Sequence, residues 1–248
     1  MTALLSATGL VKSFHGMRAV DHVDMEIPEG RVTGIIGPNG AGKTTLVHLL
    51  TGHLMAEAGR IEFDGADITA LPAYARVRRN LCRTFQIVDI FTRLSVFQNV
   101  QIARITRHGR NWRFFMPAAG EAAGEVEVAL KEVGLWELRH RQADQLSHGQ
   151  QRRLDLAVTL ATGPRLCFLD EPTSGVSPHE RDQMLELIKL LAKAHRTTFV
   201  VIEHDMEVVF GLCEWITVMH RGKILAEGKP DAIRDNRAVR EVYLGEEV

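Results

Sequence analysis

An eight-residue run, GPNGAGKT at positions 37–44, constrains the fold of this chain more than any other feature. It follows an apolar run, RVTGII, and precedes TTLVHLLTG, whose leucines recur at helical spacing. This strand, glycine-rich loop and helix is the context in which the pattern G-x-x-x-x-G-K-[ST] forms a triphosphate-binding loop. The candidate nucleotide-binding residues here are Gly37, Pro38, Asn39, Gly40, Ala41, Gly42, Lys43, Thr44 and Thr45.

Each residue type in the loop has a chemical reason. Glycines let backbone N–H groups approach phosphate oxygens where a Cβ would collide. We expect Lys43 to reach the β- and γ-phosphates of ATP and the Thr44 hydroxyl to bind Mg²⁺. The helix that follows directs its positive end at the anion.

The rest of the chain predicts a layered α/β fold. RLCFLD, TTFVVIE and WITVMH are short apolar runs joined by helical segments, which is typical of parallel β-α units. Near the amino end, alternation at Val23, Met25 and Ile27 and the turn residues in IEFDGADI predict an antiparallel sheet. Residues 72–160 carry apolar residues at helical spacing and predict a helical subdomain.

Two adjacent carboxylates follow one of the predicted strands. Asp170 and Glu171 end the buried run LCFLDEP, where packing gives no reason for acidic residues. Carboxylates beside a phosphate site suit metal binding and activation of water. We therefore expect Asp170 to hold Mg²⁺, directly or through water, and Glu171 to act as the general base.

Composition excludes several classes of protein. The formal net charge of −1 gives no overall field that attracts nucleic acid. The arginines between positions 76 and 83 are interpreted as a solvated face.

The three cysteines lie apart in apolar stretches and are expected to be buried thiols. The start of the chain does not resemble a signal peptide, and its longest apolar stretch is too short to span a bilayer.

Five motifs occur in order: the phosphate loop, TFQ at 84–86, LSHGQ at 146–150, LDEP at 169–172 and IEHD at 202–205. With them the chain resembles the ABC transporter ATPase family over essentially its whole length. The resemblance implies one domain, 1–248, with a RecA-like parallel core and an antiparallel β subdomain in 1–84 and 161–248. The helical subdomain is then 85–160.

The resemblance also implies roles for further residues. Gln86 is similar to the glutamine that touches Mg²⁺ and water beside the membrane partner. His204 is similar to the switch histidine that bonds the γ-phosphate, and Phe14 to the aromatic residue that stacks on adenine. Ser147, Gly149 and Gln150 belong to the signature that contacts the nucleotide of a partner cassette. ATP then holds two cassettes together head to tail.

Two positions depart from the commonest family pattern. His148 replaces a glycine in the signature, and Ser177 replaces an aspartate in the segment after the carboxylates, the D-loop. Neither change removes an expected phosphate donor. Both resemble a branch of the family that uses hydrophobic or small amino acids.

Further segments, RTFQIVDIFTRLSVFQNV, GQQRRLDLA and EVYLGEE, together with an insertion near 105–124, resemble the ATPase of branched-chain amino-acid importers. The resemblance implies transmembrane permease subunits, a second cassette in a homodimer or heterodimer, an indirectly coupled solute-binding protein and no nucleic acid. It implies a place on the cytoplasmic face of the plasma membrane. An importer of other hydrophobic amino acids, an importer of urea or a short amide, a lipopolysaccharide exporter and a soluble ABC ATPase remain alternatives.

Overall fold

The computed structural model describes residues 3–84, 90–107, 121–195 and 197–244. Six strands form its main sheet: β3 (Val32–Ile36), β6 (Leu81–Arg83), β7 (Leu166–Asp170), β8 (Thr198–Ile202), β9 (Trp215–His220) and β10 (Lys223–Gly228). Their order is β10-β9-β3-β8-β7-β6. Every neighbouring pair is parallel except β10 with β9, which is antiparallel.

The predicted parallel strands are confirmed. All five residues of β3 and of β8 are buried, as are the first four of β7. Helices cover both faces of such a sheet, so its strands are apolar throughout and do not alternate. Those uninterrupted apolar runs therefore predict the strands correctly.

The prediction of helix throughout residues 72–160 is wrong at β6. Leu81, Cys82 and Arg83 pair in parallel with the start of β7. Helix α2 (Ala73–Val77) ends before them, and Asn80 takes a positive φ of 66° that turns the chain into the strand. Asparagine tolerates this conformation. Three residues are too few to show a strand period.

The amino-terminal antiparallel sheet is present as expected. Its strands are β1 (Ala3–Phe14), β2 (Met17–Pro28), β4 (Ala58–Phe63) and β5 (Ala66–Asp67), in the order β2-β1-β4-β5. Asp64 and Gly65 both have positive φ, which makes the tight turn predicted between β4 and β5. Helix α1 (Lys43–Thr51) packs between the two sheets, with Leu46 and Leu49 in the same apolar cluster as residues of both.

Three helices form an apolar cluster of their own. They are α3 (Val96–Arg107), α4 (Glu121–Glu132) and α5 (His148–Ala161), and Val100, Leu130 and Leu154 lie in the cluster. The other face of the main sheet is covered by α6 (Pro178–His195), α7 (Met206–Leu212), α8 (Pro230–Arg234) and α9 (Arg237–Leu244). The subdomain boundaries at 85 and 160 stay a prediction.

The arginine cluster is not a solvated face. Arg76 is 1% exposed, and its guanidinium donates to the carbonyls of Leu49, Leu50, Leu71 and Thr69. The side chain of Arg83 is also buried. Only Arg78 and Arg79 face solvent as expected.

The cysteines are buried and unbridged, as predicted. Among the described residues, no helix combines the length and apolarity needed to cross a bilayer.

Candidate functional site

The candidate residues meet at one edge of the main sheet. Strands β3, β8 and β7 are adjacent and parallel, so their carboxyl ends lie side by side. The phosphate loop follows β3, Asp170 ends β7 and Glu171 comes next, while His204 follows β8 by two residues. Ligands bind at this edge of open parallel sheets.

Helix α1 begins in the loop with its donors uncapped. Gly42 is the N-cap residue, no side chain caps the helix, and no acidic residue lies in its first turn. The first N–H groups of a helix have no partner within the helix, and its N-terminus carries a partial positive charge. The start of α1 is therefore built to receive an anion.

The phosphate loop contacts β2 and the turn between β9 and β10. The N–H of Gly222, in the turn between β9 and β10, donates to the carbonyl of Ala41 at 2.9 Å. Gly42 has a φ of 100°, and a Cβ at this position would collide with the carbonyl oxygen of Ala19 on β2. Only glycine fits there. Asn39 and Gly40, at the tip of the loop, are exposed.

Lys43 lies across the loop. Its Nζ donates to the carbonyl of Gly37 at 2.6 Å and to that of Pro38 at 3.1 Å. Partial burial lowers the pKa of Lys43, and the charges of Glu171 and Asp170 act against this. The ammonium is thus held against two carbonyls of the loop. Thr44 is exposed and Thr45 is half-buried, at the start of the same helix.

Asp170 is paired with a buried arginine. Arg83 Nη2 donates to Asp170 Oδ2 at 2.5 Å, and both side chains are largely shielded from water. A carboxylate at the end of β7 and a hydroxyl at the start of α1 are hard oxygen donors, the kind Mg²⁺ prefers. Mg²⁺ commonly binds nucleotides through one or two such groups and phosphate oxygens. The donor set therefore fits this ion.

Glu171 and His204 face each other across the edge. Glu171 Oε1 lies 3.5 Å from His204 Nδ1. The His204 side chain is 68% exposed, so its ring projects toward solvent where a ligand can reach it. Glu171 has a φ of 46°, which is rare for a residue other than glycine. Unusual backbone angles of this kind cluster at functional sites.

The remaining predicted residues lie apart from this edge or outside the described residues. Phe14 ends β1 and is half exposed, with Lys12 Nζ 5.7 Å from the centre of its ring. Gln86 falls outside the described residues, as does most of the 105–124 insertion. The role of Gln86 therefore stays a prediction.

The signature residues begin helix α5. The Ser147 hydroxyl accepts from the N–H of Gln150 at 3.3 Å, and the Gln150 side chain accepts from the N–H of Ser147 at 3.0 Å. This reciprocal pair is a capping box. Ser147 is exposed and Gly149 is buried. Two of the three signature residues thus also have a local role in starting the helix.

The two departures from the family pattern lie in segments that contact each other. A Cβ on Gly175 would lie 3.1 Å from His148 Nε2, so the histidine of the signature rests against the D-loop. In the D-loop the Ser177 hydroxyl donates to Glu180 Oε2 at 2.9 Å, and Glu180 in turn lies against Gly149. The signature and D-loop of one chain are therefore in direct contact.

Three residues near the site were not predicted to lie there. Arg83 holds Asp170, and Glu203 is buried behind His204. Tyr243 on α9 also approaches the loop: burial raises the pKa of its phenol, while the N–H of Gly37 acts in the opposite direction. Glu203 could have been suspected, because it is an acidic residue at the end of a wholly apolar strand.

Comparison with known families gives two matches. A model described as ABC transporter matches residues 20–174. A second, described as branched-chain amino acid ATP-binding cassette transporter, matches residues 223–248. The first spans the phosphate loop and both carboxylates, and the second includes α9.

Curated relatives match the chain from end to end. The BraF protein of Pseudomonas aeruginosa, a high-affinity branched-chain amino acid transport ATP-binding protein, is 40% identical over 250 residues and 98% of each chain. The LivG protein of Escherichia coli, described in the same words, is 38% identical over 251 residues and 98% of each chain.

Solved structures show the same fold. An ATP-binding cassette of an ABC transporter in its ADP conformation superposes with a TM-score of 0.88 and 30% identity, covering 99% of this chain and 100% of that one. A nucleotide-free ATP-binding cassette from an ABC transporter gives 0.86 and 30%, with the same coverage.

Proposed function

This chain belongs to the ABC transporter family of ATP-binding cassettes, and from that premise we propose that it powers an importer of branched-chain amino acids. The family binds nucleotide and couples ATP hydrolysis to transport. The observation that carries the proposed ATP hydrolysis is the uncapped start of α1, with Lys43 across the loop and Glu171 and His204 at the adjoining strand ends.

In the proposed reaction the loop binds the triphosphate of ATP. N–H groups at the start of α1 and the Lys43 ammonium neutralise the β- and γ-phosphates. For this, Lys43 exchanges its present carbonyl partners for phosphate oxygens. Phe14 stacks on the adenine ring. These contacts hold the γ-phosphate near the carboxylates, and such positioning supplies much of the catalysis of phosphoryl transfer.

Glu171 is the proposed general base. Its carboxylate orients a water molecule in line with the γ-phosphate and accepts a proton from it as the water oxygen bonds to the γ-phosphorus. The bond from that phosphorus to the β,γ-bridging oxygen breaks, which releases ADP and phosphate. His204, whose Nδ1 lies 3.5 Å from Glu171 Oε1, donates a hydrogen bond to the γ-phosphate. Thr44 and Asp170, with Gln86, would hold Mg²⁺. When bound, this ion neutralises charge that develops on the phosphates.

We further propose that two cassettes act together. Ser147, Gly149 and Gln150 of one chain face the γ-phosphate bound by the other, where the start of α5 offers backbone donors and a hydroxyl. Closure excludes water from both sites, and loss of the γ-phosphate removes the bridging charge, so the pair opens. The partner is a second copy or a homologous cassette, and the pair drives permease subunits from the cytoplasmic face of the membrane.

The choice of solute rests on the relatives. BraF and LivG are named for branched-chain amino acid transport, and the match at residues 223–248 carries the same description. No described residue of this chain is proposed to touch the solute, because the solute passes through the permease subunits. The solute must therefore be tested in the assembled transporter.

The test is solute uptake by proteoliposomes that hold this chain with its permease and solute-binding protein. Leucine, isoleucine, valine, aromatic amino acids and urea are each offered while ATP hydrolysis is followed. We expect leucine, isoleucine and valine to stimulate hydrolysis and to accumulate, and Glu171→Gln to abolish both. Stimulation by urea alone would assign the chain to a urea importer instead. Hydrolysis that responds to none of these solutes would contradict the proposed import function.

A further inference from the structure

We infer that Glu203 is a positioning residue that holds the backbone of Glu171 in the conformation needed for attack on the γ-phosphate. The observation is a buried carboxylate that joins the segment after β7 to the segment after β8. These segments carry Glu171 and His204, respectively. The inference rests on the proposed hydrolysis but adds a residue to which no role is otherwise assigned.

Glu203 is buried and fully engaged on one oxygen. It is 2% exposed, and its Oε1 accepts from the Thr173 hydroxyl at 2.7 Å and from the Thr173 N–H at 3.3 Å. Thr173 is itself buried. A buried carboxylate is costly unless it is hydrogen-bonded. Both donors belong to Thr173, so Glu203 is bonded to the loop after β7, which begins at Glu171.

The bond between Thr173 and Glu203 lies two residues after Glu171, whose backbone angle is unfavourable. Glu171 has a φ of 46°, and L-residues other than glycine adopt this region at a cost. Such a conformation persists only where its surroundings hold it. On the amino side, the N–H of Glu171 donates to the carbonyl of Ile202 at 2.9 Å. On the carboxyl side, two residues on, Thr173 is held by Glu203. Between these two, the N–H of Ser174 donates to the carbonyl of Glu171 at 3.0 Å. The conformation of Glu171 is thus held by this turn together with the end of β8.

The same carboxylate faces the switch histidine. Glu203 Oε2 lies 4.0 Å from His204 Nδ1, and Glu171 Oε1 lies 3.5 Å from that nitrogen. Burial raises the pKa of Glu203, and the charge of Glu171 acts in the same direction. The hydrogen bonds from Thr173 and the nearby His204 ring lower it. Nδ1 of His204 therefore lies near two carboxyl groups, that of Glu171, which is partly exposed, and that of Glu203, which is buried.

A residue that acts by positioning should affect turnover more than ATP binding. The phosphate loop and α1 do not depend on Glu203 for their hydrogen bonds. If Thr173 is released, Glu171 relaxes toward ordinary φ and its carboxylate leaves the line of attack. Displacement of a catalytic group by about 1 Å can lower a rate about 100-fold. ATP affinity should change little.

The test is a double-mutant cycle on full-length protein, using Glu203→Ala, Thr173→Val and the two together. Steady-state ATP hydrolysis gives kcat and KM, and hydrogen–deuterium exchange without nucleotide reports on the Thr173 amide. Glu203→Gln keeps an acceptor oxygen for Thr173 and serves as the conservative variant. Glu207→Ala, four residues on, removes an exposed carboxylate and is the matched control.

We expect Glu203→Ala to lower kcat at least about 10-fold with KM within about 2-fold, since positioning effects act on the chemical step. Exchange at Thr173 should accelerate. Glu203→Gln should retain most of kcat, Glu207→Ala should equal the wild type, and the double variant should be no worse than Glu203→Ala alone.

A folded Glu203→Ala with wild-type kcat, or effects that add in the double variant, would overturn the inference. If Glu203→Ala does not fold, Thr173→Val decides: a lower kcat at unchanged KM supports the inference, and an unchanged kcat refutes it. A wild type without ATPase activity would refute the proposed function instead. The exchange measurement would then still test the link between Glu203 and Thr173.

Discussion

The buried guanidinium of Arg76 allows a sharp prediction about stability. It donates to the carbonyls of Leu49 and Leu50 at 2.7 and 2.8 Å, in the last turn of α1. It also donates to Leu71 and Thr69, at 2.8 and 3.1 Å, in the segment before α2. The last carbonyls of a helix have no partner within it. The N–H of Gly52, the C-cap residue, also donates to the carbonyl of Leu49 at 3.2 Å. Arg76 therefore adds to this cap and joins the phosphate-binding helix to the next segment.

Arg76→Met removes all four hydrogen bonds and keeps most of the side-chain volume. At about 1 kcal/mol net for each bond, the loss is about 4 kcal/mol. Burial of the charge is itself unfavourable and lowers the pKa of Arg76 to about 10. Removal of the charge recovers part of the loss, since apolar replacements of buried charges are often tolerated. We predict a net fall of about 2 to 4 kcal/mol in the free energy of unfolding.

Urea unfolding followed by circular dichroism measures this change. With a slope of about 3 kcal/mol per molar, the midpoint should fall by about 1 M. Arg78→Met is the matched control, because Arg78 lies two residues away, is exposed and flanks the ring of Tyr74. Its midpoint should not move. Equal midpoints for Arg76→Met and wild type would refute the reasoning from carbonyl satisfaction.

Three further predictions concern the site. Gly42→Ala should weaken ATP binding at least about 10-fold in a fluorescent nucleotide titration, because the new Cβ would collide with the carbonyl of Ala19. Gly40→Ala is the control, since Gly40 also has a positive φ but faces open space, and it should weaken binding less. Equal losses of affinity in the two variants would contradict a collision at Gly42. Gly175→Ala should lose more thermal stability in the presence of His148 than in a His148→Gly background; equal losses in the two backgrounds would exclude the signature contact. The raised pKa of Glu203 means that the protonated form is favoured in the folded state, so wild type should lose stability relative to Glu203→Gln as pH rises from about 4.5 through the folded-state pKa. Urea midpoints at pH 5 and pH 7.5 test this, and a constant difference would contradict it.

The sequence predicts most of the main sheet and the identity of its edge. Buried parallel strands are continuous apolar runs, and the glycines and Lys43 follow one of them in fixed order, so both can be recognised without coordinates. Parallel topology then brings Asp170 and His204 to the same edge. These side chains come together because their strands are neighbours in the sheet, although they lie far apart in the sequence.

What the sequence does not predict depends on contacts between distant segments. Strand β6 has only three residues and forms because β7 offers it an edge. Arg76 lies among other arginines, and only the carbonyls of α1 and the 69–71 segment distinguish it. Glu203 acts through Thr173, 30 residues away. Side-chain bonds of this kind leave no periodic pattern, so composition and spacing suggest exposed charges where the structure has buried ones.

The central claim is that the edge formed by β3, β8 and β7 hydrolyses ATP with Glu171 as the base. Phosphate release by purified wild type and Glu171→Gln, with nucleotide binding measured in parallel, tests it most directly. We predict saturable, Mg²⁺-dependent turnover by the wild type. In Glu171→Gln, turnover should fall at least about 100-fold while ATP affinity stays within a few fold. Glu171→Gln turnover equal to wild type, or a wild type that binds no ATP, would contradict the account.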